Sequence, residues 1–268
     1  MKPLVVDLFT GLHGWWHGFE AAGYRGRGYD LEDMCAKFGE PQPEGDFELV
    51  LKDIRAMHGS EIADADFIVG SSPCTDYSYM AMPWTRAKAK AAAIRADGTG
   101  EALRQLNELF DAQFRIQREA SEAAGRHIPM VVENVRGAIP WVGRSRANFG
   151  SYHLWGDVPA LMPATLSRKN DDLGGGSRFN IGSPGQTVTG ANPDGRKIPG
   201  FRFDGSGGSF QTASVNQHLK GGGDWFSSGE GCSLQRRAGS GTVARARASA
   251  LIAKIPFTLA YWIAATSP

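Results

Sequence analysis

Cysteine is scarce in this chain. Only Cys35, Cys74 and Cys232 occur in 268 residues, all far apart. None belongs to a Cys-x-x-Cys pair or has a histidine at zinc-ligand spacing, so neither a disulfide framework nor a structural zinc is expected, and a reducing compartment is. Long apolar runs are also missing. Nothing approaches the roughly 20 residues of a membrane span, and Met1-Lys2 leads straight into PLVVDLF, which Asp7 interrupts too soon for a signal peptide. A cytoplasmic protein without a membrane partner is the expectation. The composition, 41% hydrophobic and 21% charged, is that of a globular protein with one large core or a core plus a small subdomain.

Net charge is nearly absent, at +1, but its distribution is uneven. Between 164 and 254 there are 12 Lys and Arg against 6 Asp and Glu, and 17 against 22 elsewhere. A basic segment of this kind suits a polyanion; a solvated basic loop gives the same count.

Residues 3–160 read as alternating strands and helices. LVVDLF (4–9) predicts a strand, TGLHG (10–14) a glycine-rich turn into a helix over 15–23, and YRGRGYD (24–30) a second strand, together a βαβ unit. A helix over 31–38, a strand over 47–54 that ends at Asp53, and the strand FIVG (67–70) follow. The stretch from Tyr79 to Gly100, rich in Ala and Lys without a firm apolar period, reads as a mobile loop merging into a helix. Leu103, Leu106, Phe110 and Phe114 predict the apolar face of a helix stopped at Gly125, and IPMVVENV (128–135) a buried strand. The expected architecture is a parallel α/β sheet. After Pro159 the chain turns dense in Gly, Ser, Asn and Asp, with GGG at 174–176 and 221–223. Three regions follow: a core domain over 1–160, a loop-rich insertion over 161–242, and a closing helical segment over 243–268 that packs back on the core.

The run DFIVGSSPCTDYS (66–78) delivers Cys74 just past a short strand, at the sheet edge where open α/β folds place ligands. A cysteine can equally be a core thiol. Glu133, at the end of MVVENV, would be costly if buried unpaired, which favours a site at that edge over packing; an exposed strand-end acid is the plainer alternative. Asn134 is placed to fix the loop holding the acid. The turn DLFTGLHG lets a ligand approach amides at a helix amino terminus, and Asp30 and Asp53 at the ends of the next strands complete a nucleoside-like pocket. Trp15, Trp16, Trp155, Trp225 and Trp262 read as packing residues, Cys35 and Cys232 as ordinary thiols, and His58, His127 and His218 show no ligand spacing.

In that order, DLFTGLHG, YDLE, KDIRAM, SSPCTDYS and VVENV resemble the DNA cytosine carbon-5 methyltransferase family over about residues 4–137, and SALIAKIPFTLA (249–260) resembles its closing motif. The resemblance implies a Rossmann-like fold that uses S-adenosylmethionine, with a small target-recognition insertion, acting on cytosine in double-stranded DNA as a compact member of phage type. It implies that Asp7, Phe9, Thr10, Gly11, His13 and Gly14 line the donor pocket, that Asp30 holds the ribose and Leu31 packs on the adenine, and that Asp53 with Ile54 takes its amino group. Ser72 and Pro73 would complete the pocket. Cys74 would be the nucleophile that adds to carbon 6 of a flipped-out base, and Glu133, steadied by Asn134, would act at ring nitrogen 3. Ser78, Lys88 and Lys90 would lie in a loop closing over the base, and Arg196, Lys197, Arg202, Lys220, Arg236 and Arg237 would contact DNA. No protein partner is called for, and a monomer is expected.

Departures accompany the likeness. Arg144 and Arg146, candidates for the family's arginine motif, precede the NFG turn instead of following it. Thr75 follows the cysteine where glutamine is common, and Ala253 and Lys254 stand near the place of a glycine-asparagine pair. The same reaction on tRNA, or a non-catalytic nucleic-acid-binding relative, are the alternatives. An exocyclic amino methyltransferase is disfavoured because that chemistry needs no thiol.

Overall fold

The apolar run LVVDL forms β1 (Leu4–Leu8), buried on both faces as a central parallel strand must be. The computed structural model describes residues 2–78, 84–149, 152–160 and 242–267. Around β1 stand β2 (Arg25–Asp30), β3 (Phe47–Leu51), β4 (Phe67–Gly70), β5 (Met130–Val135), β6 (Ala147–Phe149) and β7 (Tyr152–Gly156). They form one mixed seven-stranded sheet in the order β3-β2-β1-β4-β5-β7-β6. The first five strands pair in parallel, whereas β7 runs antiparallel to both β5 and β6. This is a Rossmann-like α/β fold, whose strand order reverses between β1 and β4. Such a reversal opens a crevice at the carboxyl edge of the sheet.

Helices cover both faces. Leu4, Val6, Leu8, Ile68, Met130 and Val132 share one apolar cluster with Phe110, Ile116 and Ala120 of α4 (Glu101–Ala124). Val5, Phe67, Val69 and Val131, on the other face, share a second with Trp15, Trp16 and Phe19 of α1 (Gly14–Ala21) and with Leu259, Ala260 and Ile263 near the carboxyl terminus. The latter belong to α7 (Phe257–Thr266), which lies flush on α1 because two glycines clear its path. A Cβ on Gly14 would stand 2.5 Å from the Ile255 nitrogen, and one on Gly18 would strike the backbone at Ala260 and Tyr261. Smaller helices are α2 (Met34–Phe38), α3 (Trp84–Ala96), α5 (Ile139–Val142) and α6 (Val243–Ala253).

The chain divides into two compact units, Met1–Met162 with Lys254–Pro268, and Pro163–Ala253. Only α6 and the residue before it are described in the second. Among the described residues no helix is long and apolar enough to cross a membrane.

Four expectations are corrected. The third strand stops at Leu51, and Asp53 instead caps a 3-10 turn over Ile54–Ala56, its side chain accepting from the Arg55 amide. In the stretch 79–100, expected as a loop merging into a helix, the helix already begins at Trp84 and runs to Ala96, as its alanines favour, while residues 79–83 lie outside the described residues. The buried face of α4 turns away from Leu103, which is exposed, toward Asn107, Gln113, Ile116 and Ala120. The sheet is not wholly parallel, because 147–156 forms a hairpin that closes its edge beside β5.

Candidate active site

The registers of β1, β4 and β5 bring the expected residues to one edge. Gly70 is the partner of Val132, so the chain beyond it, Ser71 and Ser72, runs alongside Glu133 and Asn134. Asn134 is fully buried, and its Nδ2 donates to both the carbonyl and the hydroxyl of Ser72, each at 3.1 Å. Its Oδ1 accepts from the Val135 amide at 2.8 Å, which fixes the direction of the side chain. Ser71 Oγ accepts from Trp15 Nε1 at 3.0 Å. The loop before Cys74 is therefore held from β5 and from α1. After the cysteine, the amides of Tyr77 and Ser78 both donate to the Cys74 carbonyl, at 3.1 and 2.9 Å, forming a tight turn.

Cys74 is half-buried and free. Burial, and after it the nearby Glu133 carboxylate, push its thiol up to about 11. Glu133 is 7% exposed, and burial pushes it up to about 8, against a smaller opposing effect of the Ser71 hydroxyl. The two groups are coupled. A proton on Glu133 removes the like charge that holds the thiol up, so the pair favours one negative charge over two.

A second buried acid shares this edge. Asp7 precedes the glycine turn on β1, on the sheet face that carries Val5, as Glu133 is on the face of Val131. Asp7 is 3% exposed and neither carboxylate oxygen has a partner in good hydrogen-bond geometry; burial pushes it up to about 8, against a smaller opposing effect of the nearby Thr10 hydroxyl. The turn that follows is bent by Phe9, Gly11 and His13, all at positive φ (143°, 50° and 55°). His13 caps α1 from this left-handed conformation. Its Nδ1 lies 3.3 Å from Thr10 Oγ1, its Nε2 is buried without a partner, and burial first lowers its pKa to about 4.

Asp30 closes the turn onto β2: its Oδ2 accepts from the Gly11 amide at 2.9 Å and its Oδ1 from the Leu31 amide at 2.8 Å. The Glu32 amide also favours the charged carboxylate, and these three donors do not exhaust its acceptor positions. Leu31 is 63% exposed, an apolar surface left uncovered beside that carboxylate. Asp7, Phe9, Thr10, Gly11, His13, Gly14, Asp30, Leu31, Ser72, Pro73, Cys74, Glu133 and Asn134 thus come from the carboxyl ends of four adjacent strands, β2, β1, β4 and β5.

Other expected residues have partners of their own, Asp53 among them although it lies just past the carboxyl end of β3, next to β2. Asp53 is bound to its own neighbour Arg55, whose Nη2 donates to it at 2.7 Å, and Ile54 is a core side chain. Arg144 and Arg146 are exposed beside β6, and the Arg146 amide donates to the Leu154 carbonyl at 2.8 Å. Lys90 pairs with Asp76, and Lys88 lies on the same helix α3. Arg196, Lys197, Arg202, Lys220, Arg236 and Arg237, with Cys232, His218 and Trp225, lie outside the described residues. Trp15 and Trp16 do pack the core, but Trp15 also ties down Ser71, a role that no spacing in the sequence signals.

A glycine turn, a switch-point crevice and a cysteine close to a buried acid make a candidate active site at the carboxyl edge of a Rossmann-like α/β sheet. Residues 4–88 match the model of the C-5 cytosine-specific DNA methylase family. That stretch contains the glycine turn, Asp30 and Cys74; the β5 motif and the closing segment lie beyond it. A comparison with curated proteins returns no match. Similar solved structures include an E. coli prophage-encoded chain described as a DNA modification methyltransferase (18% identity, TM-score 0.33) and the Entamoeba histolytica methyltransferase EhMeth (15%, 0.30). The S. pombe Dnmt2 methyltransferase is a third (12%, 0.30). They align with 52%, 51% and 52% of this chain, which in turn spans 33%, 39% and 36% of their lengths.

Proposed function

We propose that the protein transfers a methyl group from S-adenosylmethionine to carbon 5 of cytosine in double-stranded DNA. The observation that carries this reading is the pairing of Cys74 with the buried Glu133 at the edge of neighbouring strands, inside a chain whose first third matches the cytosine carbon-5 family.

The crevice suits the donor. Asp7 is a buried carboxylate without a partner in good hydrogen-bond geometry, which a cationic ligand would compensate. Asp30 has lone pairs left for ribose hydroxyls, and the exposed Leu31 offers an apolar face for a purine. When bound, S-adenosylmethionine supplies an electrophilic methyl on a sulfonium centre.

The residues then have separate tasks. Carbon 5 of cytosine is a poor nucleophile. Addition of the Cys74 thiolate to carbon 6 forms a sulfur–carbon bond and moves the ring electrons toward carbon 5 and nitrogen 3. Glu133, protonated below about pH 8, supplies the hydrogen bond or proton that nitrogen 3 requires. The same proton eases ionisation of the thiol. Loss of the carbon-5 proton to water and expulsion of Cys74 restore the double bond. Asn134 and Trp15 keep the loop at the geometry this needs.

A stacked base cannot reach such a thiol, so the target must be flipped out, at a cost of a few kcal/mol. Helix α3, with Arg86, Lys88, Lys90 and Arg95 and no acid, follows the cysteine and suits backbone phosphates.

The test is covalent trapping on duplex DNA carrying 5-fluorocytosine, with S-adenosylmethionine present, read by mass spectrometry. The fluorine cannot leave as a proton does, so an adduct on Cys74 is expected. An adduct on structured RNA alone moves the substrate to RNA, and none on either overturns the reading.

A further inference from the structure

The turn that carries Cys74 is tied down on its outgoing side as well. Tyr77, whose amide donates to the Cys74 carbonyl, is 3% exposed and belongs to the core cluster of Phe110 and Trp155. Its hydroxyl lies 3.0 Å from Asn107 Oδ1 and 3.1 Å from the Leu106 carbonyl, both on α4. Asn107 is itself buried, and its Nδ2 donates to the Trp141 carbonyl at 2.9 Å. A carbonyl only accepts, so the amide end of Asn107 faces Trp141, its Oδ1 faces Tyr77, and the phenol donates. Burial first, and then the Asp111 and Asp76 carboxylates, raise the phenol pKa, so that donor stays protonated.

The helix itself does not ask for Asn107. Asparagine is a poorer helix former than leucine or alanine, and an amide buried without bonds costs stability. At position 107 the amide instead joins separate parts of the fold. Trp141 lies in α5, which follows β5 through one 3-10 turn (Arg136–Ala138), and the Gly143 carbonyl just after α5 accepts from Trp155 Nε1 of β7 at 3.0 Å. A continuous path thus runs from the Cys74 turn through Tyr77 and Asn107 to the segment that directly follows Glu133 and Asn134.

We propose that Tyr77 and Asn107 are positioning residues that fix Cys74 relative to Glu133 by anchoring the outgoing side of the cysteine turn; the consequence for catalysis rests on the methyl-transfer reading. Asn134 holds the incoming side at Ser72, so the thiol is suspended between two buried amides. Loss of the phenol hydroxyl leaves the ring in the core but releases the turn, and the thiol then moves away from the acid and toward water.

Iodoacetamide alkylation of Cys74 across pH, read on the full chain by peptide mass spectrometry, tests this without donor or DNA. Tyr77→Phe should react about threefold to tenfold faster than wild type at pH 8. Glu133→Gln should shift the wild-type profile to lower pH, and in the Tyr77→Phe background that shift should largely vanish. Asn107→Ala should behave as Tyr77→Phe does, and combining the two should add nothing further. A merely structural role lowers Tm and leaves the coupling of Cys74 to Glu133 intact, so an equal Glu133→Gln shift in both backgrounds overturns the proposal. If Tyr77→Phe does not fold, Asn107→Ala decides by the same comparison. On saturating duplex DNA carrying 5-fluorocytosine, Tyr77→Phe should form the trapped adduct about tenfold more slowly with the donor Kd unchanged, and undiminished trapping also overturns the proposal. Absence of an adduct in wild type overturns the methyl-transfer reading instead, while the alkylation comparison still decides whether Tyr77 holds Cys74 to Glu133.

Discussion

Asn134 and Ser72 are joined by two hydrogen bonds from one amide, to a carbonyl and to a hydroxyl, across the β5–β4 edge. Both acceptors are reached by a single buried Nδ2, so one side chain sets the path of the loop that presents Cys74.

Asn134→Ala should therefore lower kcat by about tenfold or more while the donor Kd moves little, since removal leaves a buried carbonyl unsatisfied at a cost of about 1–3 kcal/mol and frees the loop. Single-turnover kinetics and donor titration separate the two. A changed donor Kd with unchanged kcat would assign Asn134 to the donor pocket instead.

The coupling of Cys74 to Glu133 predicts the reactivity of the thiol. Burial and the neighbouring acid hold it near 11, so alkylation by iodoacetamide should be slow at pH 7 and still rising at pH 10. In Glu133→Gln the like charge is gone while burial remains. The alkylation profile should shift to lower pH yet stay above that of an ordinary cysteine. A profile identical to wild type would mean that the two groups do not communicate.

How much of this could be read from the chain follows from the range of each interaction. FIVG and MVVENV are short apolar runs, and they become β4 and β5 with Cys74 and Glu133 at their ends, because a strand buried on both faces announces itself locally. Asp53 shows the opposite case. FELVLKDI continues a strand pattern through position 54, but the Asp53 side chain captures the Arg55 amide and starts a 3-10 turn two residues after the strand ends. The hairpin over 147–156 has short strands of mixed polarity that only pairing with β5 makes regular. The contact of Lys254 with His17, 237 positions away, is likewise reported by no periodicity.

The contact between α1 and α7 carries its own prediction. Gly18 has no room for a methyl group, because the Ala260–Tyr261 backbone occupies the position. Gly18→Ala should destabilise the protein by about 1–3 kcal/mol or more through overpacking, despite the better helix propensity of alanine. Urea unfolding measures it. A neutral or stabilising change would show that α7 does not rest on α1 at this spacing.

Asp7 gives a test that needs neither donor nor DNA. Its pKa is about 8 in the folded protein against roughly 3.9 in an unfolded chain, so between these values the folded state holds a proton that the unfolded state has released. Stability from this group is therefore greatest below about pH 4, falls as pH rises toward 8, and is flat above that. Glu133, raised to the same value, acts in the same direction. Asp7→Asn replaces the titrating acid with a permanently neutral group of nearly the same shape, so its Tm should exceed that of wild type, and by more at pH 8 than at pH 5. The donor should oppose this trend: a cationic sulfonium favours ionised Asp7, so S-adenosylmethionine should bind more tightly at pH 8 than at pH 6, and S-adenosylhomocysteine, without that charge, should show a flatter profile. Thermal melts of both proteins across this range, with titrations of the two ligands, check each sign separately. Equal Tm shifts at pH 5 and pH 8 would mean that Asp7 is already ionised and partnered in the folded protein, and the case for a cation beside it would fall with that result.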